Sequence, residues 1–262
     1  MTSLPELMST TEVLFRVLAN VSHEMLNATL ADIDFEKPFA VVEFIPALEI
    51  AMNKHIENWT LPDLTKNDAA DLLLQAYERL PFAAPRTTSV PKILDALVGE
   101  LVESSCLRPT FIIHHPECMS PLAKSFDKAY GGSTQRVSAR AELFIRGREY
   151  VNCYEEENSP LEQRRKFDAQ LSHRDKRDAH ETHGEVDEGY LGALEWGMPP
   201  TGGWGCGVDR IVMLFGGKAR IADVLPFGTL RNVAALGSAQ ARRRVQSVLS
   251  SGTQVPVATA RG

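Results

Sequence analysis

Two glutamates, Glu142 and Glu149, flank Arg146-Gly147 inside a stretch, residues 139–156, whose alternation predicts a pair of β-strands joined by a two-residue turn. Such a turn pairs Phe144 with Glu149 and sets Glu142 diagonal to it on the same face. Carboxylates that close repel. Either both are solvated, or one keeps its proton, or a hard cation with oxygen ligands sits between them, Mg2+ being the usual choice beside phosphates. On the second strand Asn152, Tyr154 and Glu156 recur at period two and share a face. An amide, a ring and a carboxylate suit a cationic ligand. The carboxylate balances an ammonium, the ring offers its π face or hydroxyl, and the amide orients a second polar group. The alternative is a plain polar face on an edge strand. Strict alternation puts Glu149 opposite to Asn152, so a shared pocket requires a bulge or strong twist near Tyr150.

A second chemistry-bearing stretch, Gly202-Gly203-Trp204-Gly205-Cys206-Gly207-Val208-Asp209-Arg210, is no P-loop, because no Gly-Lys-Ser/Thr follows, and its glycine spacing does not match a dinucleotide fingerprint. Gly203, Gly205 and Gly207 would still let a planar or phosphorylated ligand approach the backbone, with Arg210 as a fixed fork for phosphate at a helix start. A tight strand-to-helix crossing with Arg210 in a structural ion pair is equally compatible. His114 and His115 follow the buried strand Thr110-Phe111-Ile112-Ile113. With no second ligand cluster beside them, they are expected as loop or satisfied core histidines.

These residues need elements to hold them. The chain has 262 residues, enough to bury a core without disulfide or metal staples. A capping box Ser9-x-x-Glu12 predicts a first helix whose buried face carries Val13, Leu14, Val17, Leu18, Val21, Met25 and Leu26. Further helices are expected near 47–55, 69–80 and 90–104, and an extended stretch around 33–42. Ser159-Pro160-Leu161-Glu162 starts a helix charged on most sides and expected to be solvated. A short helix is expected over 187–196. The formal charge of −6 leaves no global positive field for nucleic acid or anionic membrane, so a polyanion must be met locally. Cys106, Cys118, Cys153 and Cys206 are too scattered for a zinc or redox pair, which points to a reduced, intracellular protein, cytoplasmic by default with the mitochondrion as the alternative. No apolar run is long enough to span a bilayer, and Met1-Thr2-Ser3-Leu4-Pro5-Glu6 lacks a signal peptide's basic start, so no membrane association is expected.

The order of these motifs resembles the C-terminal half of the class II lysyl-tRNA synthetase catalytic domain. The residues that carry it are Arg86-Thr87-Thr88, Leu97-Val98-Gly99-Glu100, Pro109-Thr110-Phe111-Ile112-Ile113 through Met119-Ser120-Pro121-Leu122-Ala123-Lys124, Glu142-Leu143-Phe144 to Glu149, Asn152-x-Tyr154-x-Glu156-x-Asn158, and Ala193-Leu194-Glu195 through Pro199-Pro200-Thr201 to Arg210. The resemblance implies an α+β fold, an antiparallel sheet flanked by helices, over residues 1–236. Within it, 1–108 is a helical scaffold and 109–236 holds the active-site sheet and the family's third motif; 237–262 is a basic tail expected to be disordered. It further implies ATP and Mg2+ as cofactors, lysine and tRNA(Lys) as partners, and a homodimer for the intact protein. By position, Glu142 and Glu149 would hold Mg2+ with ATP, and Asn152, Tyr154 and Glu156 would bind lysine, Glu156 meeting its ammonium. Arg210 would be catalytic and ATP-binding, above a nucleotide floor shaped by Gly203, Gly205 and Gly207. The aspartyl and asparaginyl relatives lack the Asn-x-Tyr-x-Glu run.

Departures from the family are also visible. The first and second motifs and the anticodon-reading barrel have no counterpart in this sequence. Loss of the second motif's arginine removes transition-state stabilisation of about 3–4 kcal/mol. This sequence alone is therefore expected to be nearly inert, either as part of a longer ligase or as an inactive form that binds lysine, ATP or a synthetase partner in a regulatory role.

Overall fold

The computed structural model describes residues 3–26, 30, 32–131, 133–172 and 186–225. The expected tail over 237–262 and the boundary at 236 lie outside the described residues. Helix α1 (Leu4–Leu26) begins earlier than Ser9. The capping box is Ser3-x-x-Glu6: the Glu6 carboxylate accepts from the Ser3 backbone N–H at 2.7 Å and from its hydroxyl at 3.1 Å. Glu12 instead turns to Arg16 at 2.7 Å and accepts from the Phe39 N–H. The buried face is rotated accordingly. Leu4, Leu7, Thr11, Phe15 and Ser22 are buried, whereas Val13, Val17 and Val21 remain 54%, 51% and 43% exposed. Valine spacing alone could not reveal that Phe15, fully buried, chooses the face.

Strand β1 (Ala40–Glu43) is shorter than the expected stretch, and helices α2 (Phe44–Met52), α3 (Ala69–Tyr77) and α4 (Val90–Leu101) follow it. Strand β2 (Thr110–Ile113) then pairs with β1 in parallel, since the three helices carry the chain back across the sheet. Strands β3 (Ser125–Tyr130) and β4 (Ser133–Ser138) form a separate antiparallel hairpin. Next come β5 (Arg140–Ile145) and β6 (Arg148–Glu155), joined by Arg146 and Gly147 at φ 52° and 68°, the two left-handed residues a type I′ turn demands. Helices α5 (Pro160–Ser172) and α6 (Glu188–Glu195), strand β7 (Gly202–Cys206) and helix α7 (Val208–Phe215) complete the described elements.

The main sheet runs β1-β2-β5-β6-β7, antiparallel except for the β1–β2 pair. Its two faces differ because side chains alternate. Phe111, Ala141, Leu143, Val151 and Cys153 pack against α1, joined by Leu214 and Phe215 of α7. On the other face Ile112 and Phe144 enter a second core with α2, α3 and α4. The residues before and after 108 thus share one sheet. Two contacts pin β6 and β7 to α1: Glu155 accepts from the Leu4 N–H at 3.0 Å, and the Trp204 Nε1–H donates to Thr11 Oγ1 at 2.8 Å.

Helix α5 is not solvated on all sides. Gln163 and Lys166 are buried, and the Lys166 ammonium donates to the Ala123 carbonyl at 2.5 Å and to Glu157 at 2.7 Å. A long stem with a paired charge can be packed inside, which a helical pattern of charges does not reveal. Among the described residues no helix is long and apolar enough to cross a membrane. All four cysteines are free thiols.

Candidate functional site

The register of β5 and β6 sets the site. Glu142 stands opposite Asn152 and Leu143 opposite Val151, yet Phe144 faces Glu149, so Tyr150 is an extra residue in β6. This is the bulge that a common pocket requires. Tyr150 and Val151 both turn into the α1 core, where the Tyr150 ring meets Phe15 edge-on at 6.2 Å. Asn152 is thereby brought onto the face that Glu142 and Glu149 share. The Tyr150 carbonyl accepts from the Gly207 N–H at 2.9 Å, just ahead of α7, and Arg210 in the first turn of α7 donates to the Glu149 carbonyl at 2.7 Å and to its carboxylate at 3.4 Å. One extra residue therefore aligns two of the expected groups with a third.

Glu142 is 12% exposed and doubly held. It accepts from His115 Nε2 at 3.0 Å and from the Arg140 guanidinium. Burial pushes its carboxyl up, but the His115 hydrogen bond and the charge and hydrogen bond of Arg140 prevail, and the group titrates below the usual carboxylate range. Burial drives His115 the other way, toward the neutral ring, against the pull of Glu142. Its Nδ1 is buried without a hydrogen-bond partner. A neutral ring protonated at Nε2 meets both observations, since a second buried N–H would be left unpaired. Glu149 shifts up, by burial first and then by the charge of Glu142, against Arg210 and Arg140.

Beside Glu142 opens a cleft of about 250 Å³ whose lining includes Phe44, Asp95, Glu103, His115 and Arg140. Burial and then the charges of Glu142, Asp95 and Glu149 push Glu103 up to about 7. Burial and Glu142 likewise raise Asp95. Glu103 and Asp95 thus hold their protons to higher pH than ordinary carboxyls, because burial and neighbouring carboxylates oppose their ionisation.

Glu156 lies just past β6, on the face of Asn152 and Tyr154. Among the described residues its side chain has no hydrogen bond or ion pair, and burial alone raises its pKa. Tyr154 pairs with Gly203 across β6 and β7, and a Cβ at Gly203 would stand 2.0 Å from Glu156 Oε1. Gly203 therefore makes room for Glu156, and this contact places it beside the expected amino-acid pocket. Gly205 faces Asn152 in the register, and a Cβ at Gly207 would meet Arg210 Cδ at 3.3 Å.

Among the described residues no three His, Cys, Asp or Glu side chains group as a metal cage. Glu142 and Glu149 fit a Mg2+ ion that takes its other ligands from phosphate and water, since carboxylate oxygens keep lone pairs beyond those engaged here. Sequence reasoning missed Arg140, Ser120, Asp95 and Glu103; His115, expected as a loop or core histidine, is buried as a core residue, and its partner Glu142 was not foreseen. For Arg140 a signal existed, because it precedes Glu142 by two on the same strand. For Asp95 and Glu103 none did, since α4 and the turn after it meet the sheet only in three dimensions.

The family profile "tRNA synthetases class II (D, K and N)" matches residues 1–231. The chain is 42% identical over 224 residues, 85% of its length, to the mitochondrial lysine–tRNA ligase of Schizosaccharomyces pombe, and covers 41% of that protein. It is 36% identical over 231 residues to the lysine–tRNA ligase of Mycoplasmopsis synoviae, covering 88% of this chain and 44% of the relative. To a probable cytoplasmic lysine–tRNA ligase of Encephalitozoon cuniculi it is 35% identical over 200 residues, 76% of this chain and 37% of the relative. The chain thus spans less than half the length of each of these relatives. With the motif order, the sheet and the profile in agreement, this chain belongs to the class II tRNA synthetases of the D, K and N group.

Proposed function

We propose that the chain carries the lysine- and ATP-binding part of a lysine–tRNA ligase, which activates lysine as lysyl-adenylate and transfers it to tRNA(Lys). The observation that carries the reading is Glu156, a half-buried carboxylate that meets no cation among the described residues, on one face with Asn152 and Tyr154 and given room by Gly203. A desolvated carboxylate in that setting gains most from an ammonium. The names of the relatives support lysine as the amino acid.

In this reading Glu156 takes the side-chain ammonium, Tyr154 packs along the aliphatic stem, and Asn152 orients the backbone end of the amino acid. Glu142 and Glu149 hold the divalent cation with the nucleotide phosphates. Arg210 leaves Glu149 to meet the terminal phosphates, and Gly205 and Gly207 let the nucleotide approach β7. Mg2+, when bound, neutralises charge on the phosphates as pyrophosphate departs. The lysine carboxylate attacks the α-phosphorus, and the bond to pyrophosphate breaks.

Calorimetry with L-lysine tests the pocket directly. Binding to the chain, lost in Glu156→Gln, is the expected result; a chain that binds no lysine overturns the reading. Lysine-dependent ATP–pyrophosphate exchange then tests the activation step.

A further inference from the structure

Arg140 belongs to neither expected set of ligands, yet one guanidinium reaches both. Its Nε donates to Asn152 Oδ1 at 3.0 Å, one terminal nitrogen donates to the Met119 carbonyl at 3.1 Å and to Ser120 Oγ at 2.9 Å, and the other donates to Glu142. The side chain is 16% exposed. Its position follows from the register, since Arg140 faces Tyr154 and Glu142 faces Asn152 across the same pair of strands.

A guanidinium can only donate. The oxygen of the Asn152 amide must therefore turn to Arg140, and its NH2 group is the part left to face a ligand. An amide free to flip could accept from an ammonium or donate to a carboxylate, whereas a fixed one can only donate.

We propose that Arg140 is a positioning residue: it locks Asn152 as a hydrogen-bond donor toward an oxygen of the bound amino acid and, through the same planar fork, holds Glu142 in place. The two subsites are then set by one rigid group, with the Ser120 loop as its third anchor. Lysine cannot replace it, because an ammonium is a point charge without the fork that spans Asn152, Ser120 and Glu142.

The inference rests on the amino-acid pocket proposed above, and the test separates the two. Calorimetry compares L-lysine with cadaverine, which keeps an amine at the end of the same five-carbon stem and lacks the carboxylate, on the chain and on Arg140→Lys. The chain is expected to prefer lysine. In Arg140→Lys, with folding checked by thermal unfolding, the preference should fall about tenfold, the scale of one hydrogen bond to a charged group, while cadaverine affinity stays nearly unchanged. An intact preference in the folded variant overturns the inference, and an equal loss for both ligands does so as well, because it marks a merely structural role. Glu156→Gln should weaken both ligands together, which reports on the pocket and not on Arg140. The orientation itself is read without ligand, from the Asn152 side-chain amide signals in a nitrogen-15 spectrum, assigned by their loss in Asn152→Asp. Those signals should shift in Arg140→Lys; identical signals in the two proteins overturn the inference even in a chain that binds no lysine.

Discussion

The two hairpins of this molecule differ by one residue and by everything that follows from it. From β3 to β4 six pairs run without a shift, from Ser125 opposite Ser138 to Tyr130 opposite Ser133. From β5 to β6 the register slips at Leu143/Phe144 to accommodate Tyr150. The charges of the regular hairpin are paired with neighbouring segments, as where Arg136 of β4 donates to Glu117 at 2.9 Å and Lys128 of β3 meets Glu43 of β1 at 2.8 Å. The bulged hairpin carries Glu142 and Glu149 on one face, and Glu156 at its end meets no cation among the described residues. Regularity here satisfies charge, and irregularity concentrates it where a ligand can answer.

The sharpest way to break the comparison is to give Tyr150 a partner. One residue inserted between Leu143 and Phe144 should restore the alternation, turn Glu142 from the face of Glu149 and abolish Mg2+-dependent ATP binding. Tyr150→Phe, which keeps the bulge, should bind as before. Calorimetry and urea unfolding read both variants, and Mg2+-dependent binding retained in the insertion would detach the site from the bulge. Next comes the seam between the hairpins, where Lys166 bonds to Glu157 and to the Ala123 carbonyl with side chains 1% and 7% exposed. Lys166→Met should destabilise by roughly 3–5 kcal/mol, because it strands a buried carboxylate, and Glu157→Gln in addition should recover much of the loss. Glu156→Gln should weaken lysine binding by about 2–5 kcal/mol without lowering the melting temperature.

The smallest effects are those of pH, and they run in opposite directions in the two regions. Burial pushes Glu117 up, but hydrogen bonds from Arg165 and Arg136 bring it down to about 2. Its stabilisation is present above pH 4.5 and is lost as pH falls toward 2. Glu103, pushed up to about 7, does the reverse: its contribution is complete below pH 4.5 and is lost as pH rises through 7. Thermal unfolding should find Glu103→Gln more stable than the parent chain near about pH 8 and level with it near about pH 4. Glu117→Gln should be the weaker protein at neutral pH, with a deficit that shrinks in acid. Parallel profiles for the two variants would remove the electrostatic half of the contrast.

Much of the site could be read from residue order. The two-residue turn, the diagonal glutamates and the need for a bulge near Tyr150 all follow from strand period and turn chemistry, which act over a few residues. The face of α1 could not be read that way. Val13, Val17 and Val21 keep helical spacing yet stay exposed, because the aromatic cluster of Phe15 with Phe35, Phe39 and Phe215 decides which side is buried, and those rings come from distant segments. The same limit hid the Glu142 partner of His115, and the burial of Lys166, whose helix looks polar until the Ala123 carbonyl and Glu157 arrive beside it. Local pattern specifies where side chains point, and only packing specifies what they meet.

Glu155 and Glu156 are adjacent and point to opposite sides of the sheet, the first receiving the Leu4 amide of α1, the second lying against Gly203 in the proposed lysine pocket. A single peptide plane is thus the mechanical link between a helix terminus and the proposed ammonium subsite. Rocking of α1 by a fraction of an ångström would be transmitted as rotation of that plane, so substitutions at the buried end of α1, around Leu4 and Leu7, can detune amino-acid affinity without touching any group that contacts the ligand.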